Sequence, residues 1–144
     1  MMLSVRDIMT GWVATADPER SLRDAATIMA KAHLGSVIVI SKGKPVGILT
    51  EGDISRALSE GADPDKTAIK KVMSKRLITV SPDKRAEEAA KLMAEKQIKK
   101  LPVVDGGNLI GMVTQTDIVA SSFDLVTSLK EMVRARYRPP DFQP

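Results

Sequence analysis

Cysteine is absent from these 144 residues, and histidine occurs once, at His33. The first absence excludes disulfides and thiolate metal sites. The second excludes a multi-histidine metal centre and removes the usual general base for a Ser or Thr nucleophile. Only Trp12, Phe123, Tyr137 and Phe142 are aromatic, so the core has to be aliphatic and few rings are available to stack on nucleic-acid bases. No apolar run approaches the roughly 20 residues of a membrane span, and no signal peptide is evident at the start. A soluble cytoplasmic protein without membrane contact is the expectation. No metal and no catalytic cofactor are expected, and an enzyme is the least favoured reading because no activated nucleophile is visible.

What is present is a chain that is 43% hydrophobic with a formal net charge of +4, well outside the composition of a disordered segment. The charge is uneven. Residues 1–64 carry 7 basic and 8 acidic side chains, and residues 65–144 carry 15 and 10. A basic second half suits anionic partners such as phosphates or nucleic acid, or is simply a solvated lysine-rich surface.

The strongest organisational fact is a duplication. Residues 5–57 repeat at 69–121 with a constant offset of 64 and no gap, through Met9/Met73, Thr15/Thr79, Pro18/Pro82, Ala25/Ala89, Met29/Met93, Val39/Val103 and Gly43/Gly107. Two copies are too few for a solenoid and suggest two units packed about a pseudo-two-fold axis. Each copy predicts the order β-α-β-β-α. A short helical turn comes first, over residues 4–9 and 67–73, with Ser4 and Thr67 as candidate N-caps. A brief strand follows at 13–15 and 77–80, then a helix at 21–32 and 85–96 whose Leu22, Ala25, Ala26 and Met29 share one face. Hairpins are expected from 36–40 to 45–49 and from 101–104 to 109–113, turning at Lys42-Gly43 and Gly106-Gly107. Neither small sheet could bury itself alone, so the pair is expected to share one core. Residues 60–65 form a short polar connector. Residues 126–144 are expected to form a C-terminal helix, with Val126, Leu129 and Val133 along one side, and a basic tail from Arg134.

Each unit ends on the same stretch. Gly47-Ile-Leu-Thr50-Glu-Gly-Asp53 is echoed by Gly111-Met-Val-Thr114-Gln-Thr-Asp117. The Thr falls at the N-cap of a helix and the Asp three residues later. A helix start offers unpaired N–H groups and a partial positive charge to a phosphate, and a carboxylate one turn in can accept from ribose hydroxyls. The leading Gly would allow a ligand close approach. The same spacing also reads as a capping box that only starts a helix, and the residues alone leave both readings open.

Taken together, two β-α-β-β-α units, an early Met, a Thr-x-x-Pro strand exit, Leu101-Pro-Val-Val-Asp105 and Gly-h-h-Thr-x-x-Asp at each end resemble a pair of CBS motifs, often called a Bateman module. The resemblance implies an α/β (α+β) fold with a module over residues 1–125, one motif at about 5–60 and the other at about 69–124. It also implies a stand-alone regulatory protein that binds adenosine-containing ligands, namely AMP, ADP or ATP and in some members S-adenosylmethionine or NAD, and acts through an unknown regulated partner. Homodimerisation through helix faces is implied, with Ile28, Met29, Leu92, Ile118 and Val119 as candidates. Two cross-paired sites follow from it. One combines Thr50 and Asp53 with Thr79, Lys99, Lys100, Leu101 and Pro102. The other combines Thr114 and Asp117 with Thr15, Gly35, Ser36, Val37 and Ile38. Because Lys99-Lys100 replace Gly35-Ser36, the Asp53 site is expected to prefer more phosphates, and the Asp117 site to take AMP or a less charged adenosyl ligand, or to stay empty. The alternatives are a ligand-free dimerisation or interaction module and, less favoured, a nucleic-acid-binding protein. His33 is expected to be structural.

Overall fold

A computed structural model describes residues 3–121. The first unit runs α1 (Val5–Ile8), β1 (Thr15–Ala16), α2 (Leu22–Ala32), β2 (Ser36–Ser41), β3 (Lys44–Thr50) and α3 (Glu51–Ser59). The second opens on a 3-10 turn (Ile69–Lys71) and continues with α4 (Ala86–Lys96), β4 (Lys100–Asp105), β5 (Asn108–Thr114) and α5 (Gln115–Ala120). In the first sheet β1 lies parallel to β2 and β2 pairs antiparallel with β3. β4 and β5 form the matching hairpin. The mixed α+β architecture follows the expected order in the first copy and, apart from its first strand, in the second, with hairpin and helix bounds moved by one or two residues. The expected C-terminal helix and tail at 126–144 lie outside the described residues.

The strand expected at 77–80 is reduced to one parallel bridge, Val80 with Val103. In the first unit the Ile38 N–H donates to the Ala14 carbonyl at 2.9 Å. The equivalent donor in the second unit would be position 102, and Pro102 has no N–H to give. Val80 keeps its own bonds, donating to Pro102 O and accepting from Val104 N, both at 3.0 Å. The Ile78 carbonyl is therefore left without the strand partner that Ala14 has.

The leading turns are exchanged between units. Val5 and Arg6 donate to Lys84 O and Pro82 O at 2.7 and 3.0 Å, and Ala86 donates to Leu3 O at 2.8 Å. Ile69 and Lys70 likewise donate to Arg20 O and Pro18 O at 2.8 and 3.0 Å. Val5 is buried in a cluster with Ala89, Leu101, Val103 and Val113 of the second unit. Ile69 is buried with Leu22, Ala25, Val37 and Leu49 of the first. One shared core was expected; there are two, each completed by an apolar residue from the other unit. Burying Val5 and Ile69 in this way contributes about 1.5–3 kcal/mol each to holding the halves together. Thr67 does not cap its turn, because Ala68 occupies the N-cap and makes no side-chain bond. Ser4 does cap α1, in a full capping box with Asp7.

A second crossing explains the paired methionines and glycines. Thr10 bridges Met112, and Ser74 bridges Ile48, each through two backbone hydrogen bonds of 2.9–3.0 Å. A Cβ on Gly47 would lie 2.7 Å from Ser74 O and 2.8 Å from Met73 Sδ, and one on Gly111 would meet Thr10 O and Met9 Sδ at the same distances. Gly47 and Gly111 are thus required by the crossing backbone. The expectation that they make room for a ligand is corrected.

Candidate functional site

The crossings place the two helix starts against a seam between the units. Both starts are closed capping boxes. Thr50 Oγ1 accepts from Asp53 N at 3.1 Å and Asp53 Oδ2 accepts from Thr50 N at 2.9 Å. Thr114 and Asp117 repeat this at 3.1 and 2.8 Å. Asp53 Oδ1 also accepts from Arg56 Nη1 at 3.3 Å. Of the first-turn N–H groups of α3, that of Glu51 is taken by the Gly35 carbonyl at 3.0 Å and that of Asp53 by its own cap. What remains at this helix start is the Gly52 N–H, which has no partner among the described residues, and the Thr50 hydroxyl proton, since that oxygen already accepts and can still donate.

Beside Thr50 lies a cavity of about 300 Å³. Its apolar wall is Ile48 of the first unit with Leu77, Ile78, Ile98 and Pro102 of the second, and its polar rim is Thr50, Arg76, Lys99 and Lys100. The structure therefore brings Thr50 together with Lys99, Lys100 and Pro102 across the seam. The ion pairs among the described residues do not include Arg76, Lys99 or Lys100. Three cations without a carboxylate partner at the mouth of an apolar slot are suited to an anionic ligand with a flat apolar part. Ile78, whose carbonyl lacks the strand bond that Ala14 has, is one of the residues lining the slot.

The pseudo-symmetric cavity is about 100 Å³ and is walled by Trp12, Val13, Ala14 and Leu34, with Thr114, Ser36 and Lys100 on its polar side. Trp12 stands where the first cavity has Arg76, and it is 61% exposed. The Ala14 carbonyl here is already bonded to Ile38. Gly35 sits beside the Glu51 carboxylate, which lies 3.4 Å from where a Cβ would be. The charge contrast expected between the sites is revised in one respect. Lys100 borders both cavities, and its Nζ donates to Ser36 Oγ at 3.2 Å.

The remaining expected site residues are not among those lining either cavity. Thr79 lies on a separate open cleft beside α4 with Ser81, Lys84 and Glu88, and Thr15 is exposed in register with Ile38. Leu101, Val37 and Ile38 are fully buried; Leu101 and Val37 belong to the two cores, whereas Ile38 belongs to neither and shares its strand face with Ser36. Asp53 and Asp117 line neither cavity but are hydrogen-bonded to Thr50 and Thr114, which do. Met29 is also buried, which removes it from the exposed helix face expected for self-association. His33 is the left-handed C-cap of α2, as Gln97 is of α4. Arg76 and Trp12 were missed from the sequence. The signal available was their equivalence under the 64-residue offset, two residues after each crossing.

Comparisons with known proteins agree with the fold. A family model described as the CBS domain matches residues 5–60 and 69–124. The chain is 38% identical over 121 residues to the CBS domain-containing protein YhcV of Bacillus subtilis, covering 83% of this chain and 86% of that protein. Among solved structures, the CBS domain pair of protein MJ0100, in complex with 5′-methylthioadenosine and S-adenosyl-L-methionine, is similar with a TM-score of 0.74 and 28% identity over 92% of this chain and 98% of that one. A hexameric CBS-CP12 protein from bloom-forming cyanobacteria is similar with a TM-score of 0.76 and 30% identity over 94% and 82%.

Proposed function

This chain belongs to the CBS-domain family as a tandem pair, and we propose that it is a non-enzymatic regulatory module that binds phosphorylated adenosine at the seam between its two domains. The observation that carries the reading is the apolar slot rimmed by Arg76, Lys99 and Lys100 without acidic partners. At about 300 Å³ it is at the lower end of the range for small-molecule sites. In this reading the adenine lies between Ile48, Ile78 and Ile98, and its amino group donates to the Ile78 carbonyl that Pro102 leaves free. The ribose hydroxyls reach Asp53 Oδ1, and the phosphates meet Thr50, Arg76, Lys99 and Lys100. The similarity to a domain pair solved with adenosyl ligands supports the adenosine part.

The second cavity is assigned a less charged adenosyl ligand, stacked on Trp12, or none. Its small volume and the neighbouring Glu51 favour that over a nucleoside triphosphate. AMP, ADP or ATP is the proposed first-cleft ligand, with AMP, S-adenosylmethionine, 5′-methylthioadenosine or NAD as candidates for the second. A ligand that spans both domains can bias their packing only by binding one arrangement better, and a partner protein would read that bias. The half-buried Ile28, Leu92, Ile118 and Val119 are the proposed self-association face.

Thermal unfolding in the presence of each of these ligands tests the reading. A ligand at 100 times its Kd adds about 2.7 kcal/mol. A rise in Tm with ATP or AMP is expected, and no rise with any adenosyl ligand would leave the interaction-module reading in its place.

A further inference from the structure

We propose that Lys100 is one cation shared by both clefts, so that an anion held in the first weakens anion binding in the second. The proposal rests on reading the clefts as nucleotide sites. Lys100 opens β4 opposite Thr114, and its ammonium donates to Ser36 Oγ at 3.2 Å. Positions 36 and 100 are equivalent under the 64-residue repeat, so this bond crosses the pseudo-two-fold axis at the point where the two cavities meet.

The two sides of Lys100 are unequal. Toward the first cavity it stands with Arg76 and Lys99, and toward the second it is the only cation on the wall among the described residues. Its described partner is a neutral hydroxyl, and an ammonium bonded to phosphate is held more strongly than one bonded to a hydroxyl. A phosphate chain in the first cleft therefore draws Lys100 away from Ser36 and removes the second cleft's cation. Linkage makes the effect reciprocal. A neutral adenosyl ligand in the second cleft has no phosphate to lose and is unaffected.

The chain's single tryptophan makes the second cleft separately observable. AMP and adenosine are titrated against Trp12 fluorescence, with and without saturating inorganic tripolyphosphate, which needs cations but no adenine slot. The AMP Kd is expected to rise by at least about five-fold and then level off as tripolyphosphate increases. The adenosine Kd is expected to stay constant. In Lys100→Met, which keeps the alkyl stem, the AMP response to tripolyphosphate is expected to vanish. In Ser36→Ala, which releases the ammonium, tripolyphosphate is expected to bind several-fold more tightly. An equal rise for AMP and adenosine, a rise without limit, a rise that persists in Lys100→Met, or an unchanged Ser36→Ala would each overturn the shared-cation proposal and leave the nucleotide reading standing. No fluorescence response to either ligand, together with no calorimetric heat from ATP, would overturn the nucleotide reading and this proposal with it.

Discussion

Replacing Gly47 with Ala separates a backbone crossing from a ligand approach. A Cβ at this position would stand 2.8 Å from the Met73 sulfur and 2.7 Å from the Ser74 carbonyl oxygen. The thioether can move aside. The carbonyl cannot, because Ile48 N donates to it at 3.0 Å and Ser74 N donates back to Ile48 O at 2.9 Å. Overpacking of this kind costs about 1–3 kcal/mol, and each lost hydrogen bond adds about 1 kcal/mol. Ala recovers up to about 1 kcal/mol over Gly in a strand. A net loss of about 2–4 kcal/mol is expected, a large part of the roughly 5–15 kcal/mol typical of a domain. Urea unfolding measures it as a lower midpoint at unchanged slope. Gly52→Ala is the control. Its nearest atom is Thr50 Oγ1 at 3.7 Å, and helix propensity favours Ala by up to about 1 kcal/mol. If Gly47→Ala kept its stability within about 0.5 kcal/mol and lost only ligand binding, the crossing argument would be wrong.

Other consequences are as direct. Pro102→Ile supplies the N–H that the first unit has at Ile38; it is expected to complete the strand with Ile78, leave stability equal or higher, and weaken AMP binding by about ten-fold through loss of one free acceptor, read by calorimetry. Asp53→Ala is expected to cost about 1 kcal/mol of stability as a broken capping box and to weaken AMP or ATP binding by roughly 10- to 150-fold, whereas Asp24→Ala, an equivalent box away from the seam, should show only the stability loss. The pKa of Asp65 is lowered by its hydrogen bonds with the Arg23 guanidinium, one of which is 3.1 Å long. A lowered carboxylate pKa means the unfolded chain binds more protons, so this contribution is present above the ordinary Asp range and fades as pH falls below about 4. Arg23→Gln is expected to flatten that part of the acid-unfolding curve.

Periodicity and repeat register made the order of elements legible, because helix faces and hairpin turns are local features. The exchange of Val5 and Ile69 between units was not legible, since nothing in a leading turn states which copy it will cover. Pro102 carried a signal that the offset alone could have used: a missing N–H at a ladder position ends a strand. The Thr50–Asp53 spacing was ambiguous for a physical reason. The atoms that cap a helix are the atoms that would hold a ribose and a phosphate, and the structure has them doing the first. Lys99 and Lys100 could be read from the broken symmetry with Gly35 and Ser36. Arg76 and Trp12 lie in a loop without periodicity, and only the fold brings them to the seam. Thr79, Leu101 and Val37 were placed by family pattern, which locates a strand more reliably than it locates which side chains face a cleft.

Calorimetric titration of adenosine, AMP and ATP into the wild-type chain and into the Arg76→Ala/Lys99→Ala double variant tests the central claim most directly. The account predicts that affinity rises from adenosine to AMP to ATP in the wild type. In the variant the phosphate preference should collapse, with ATP weakened by at least about ten-fold and adenosine unchanged. An affinity order indifferent to phosphate number, or one that survives in the variant, would contradict it.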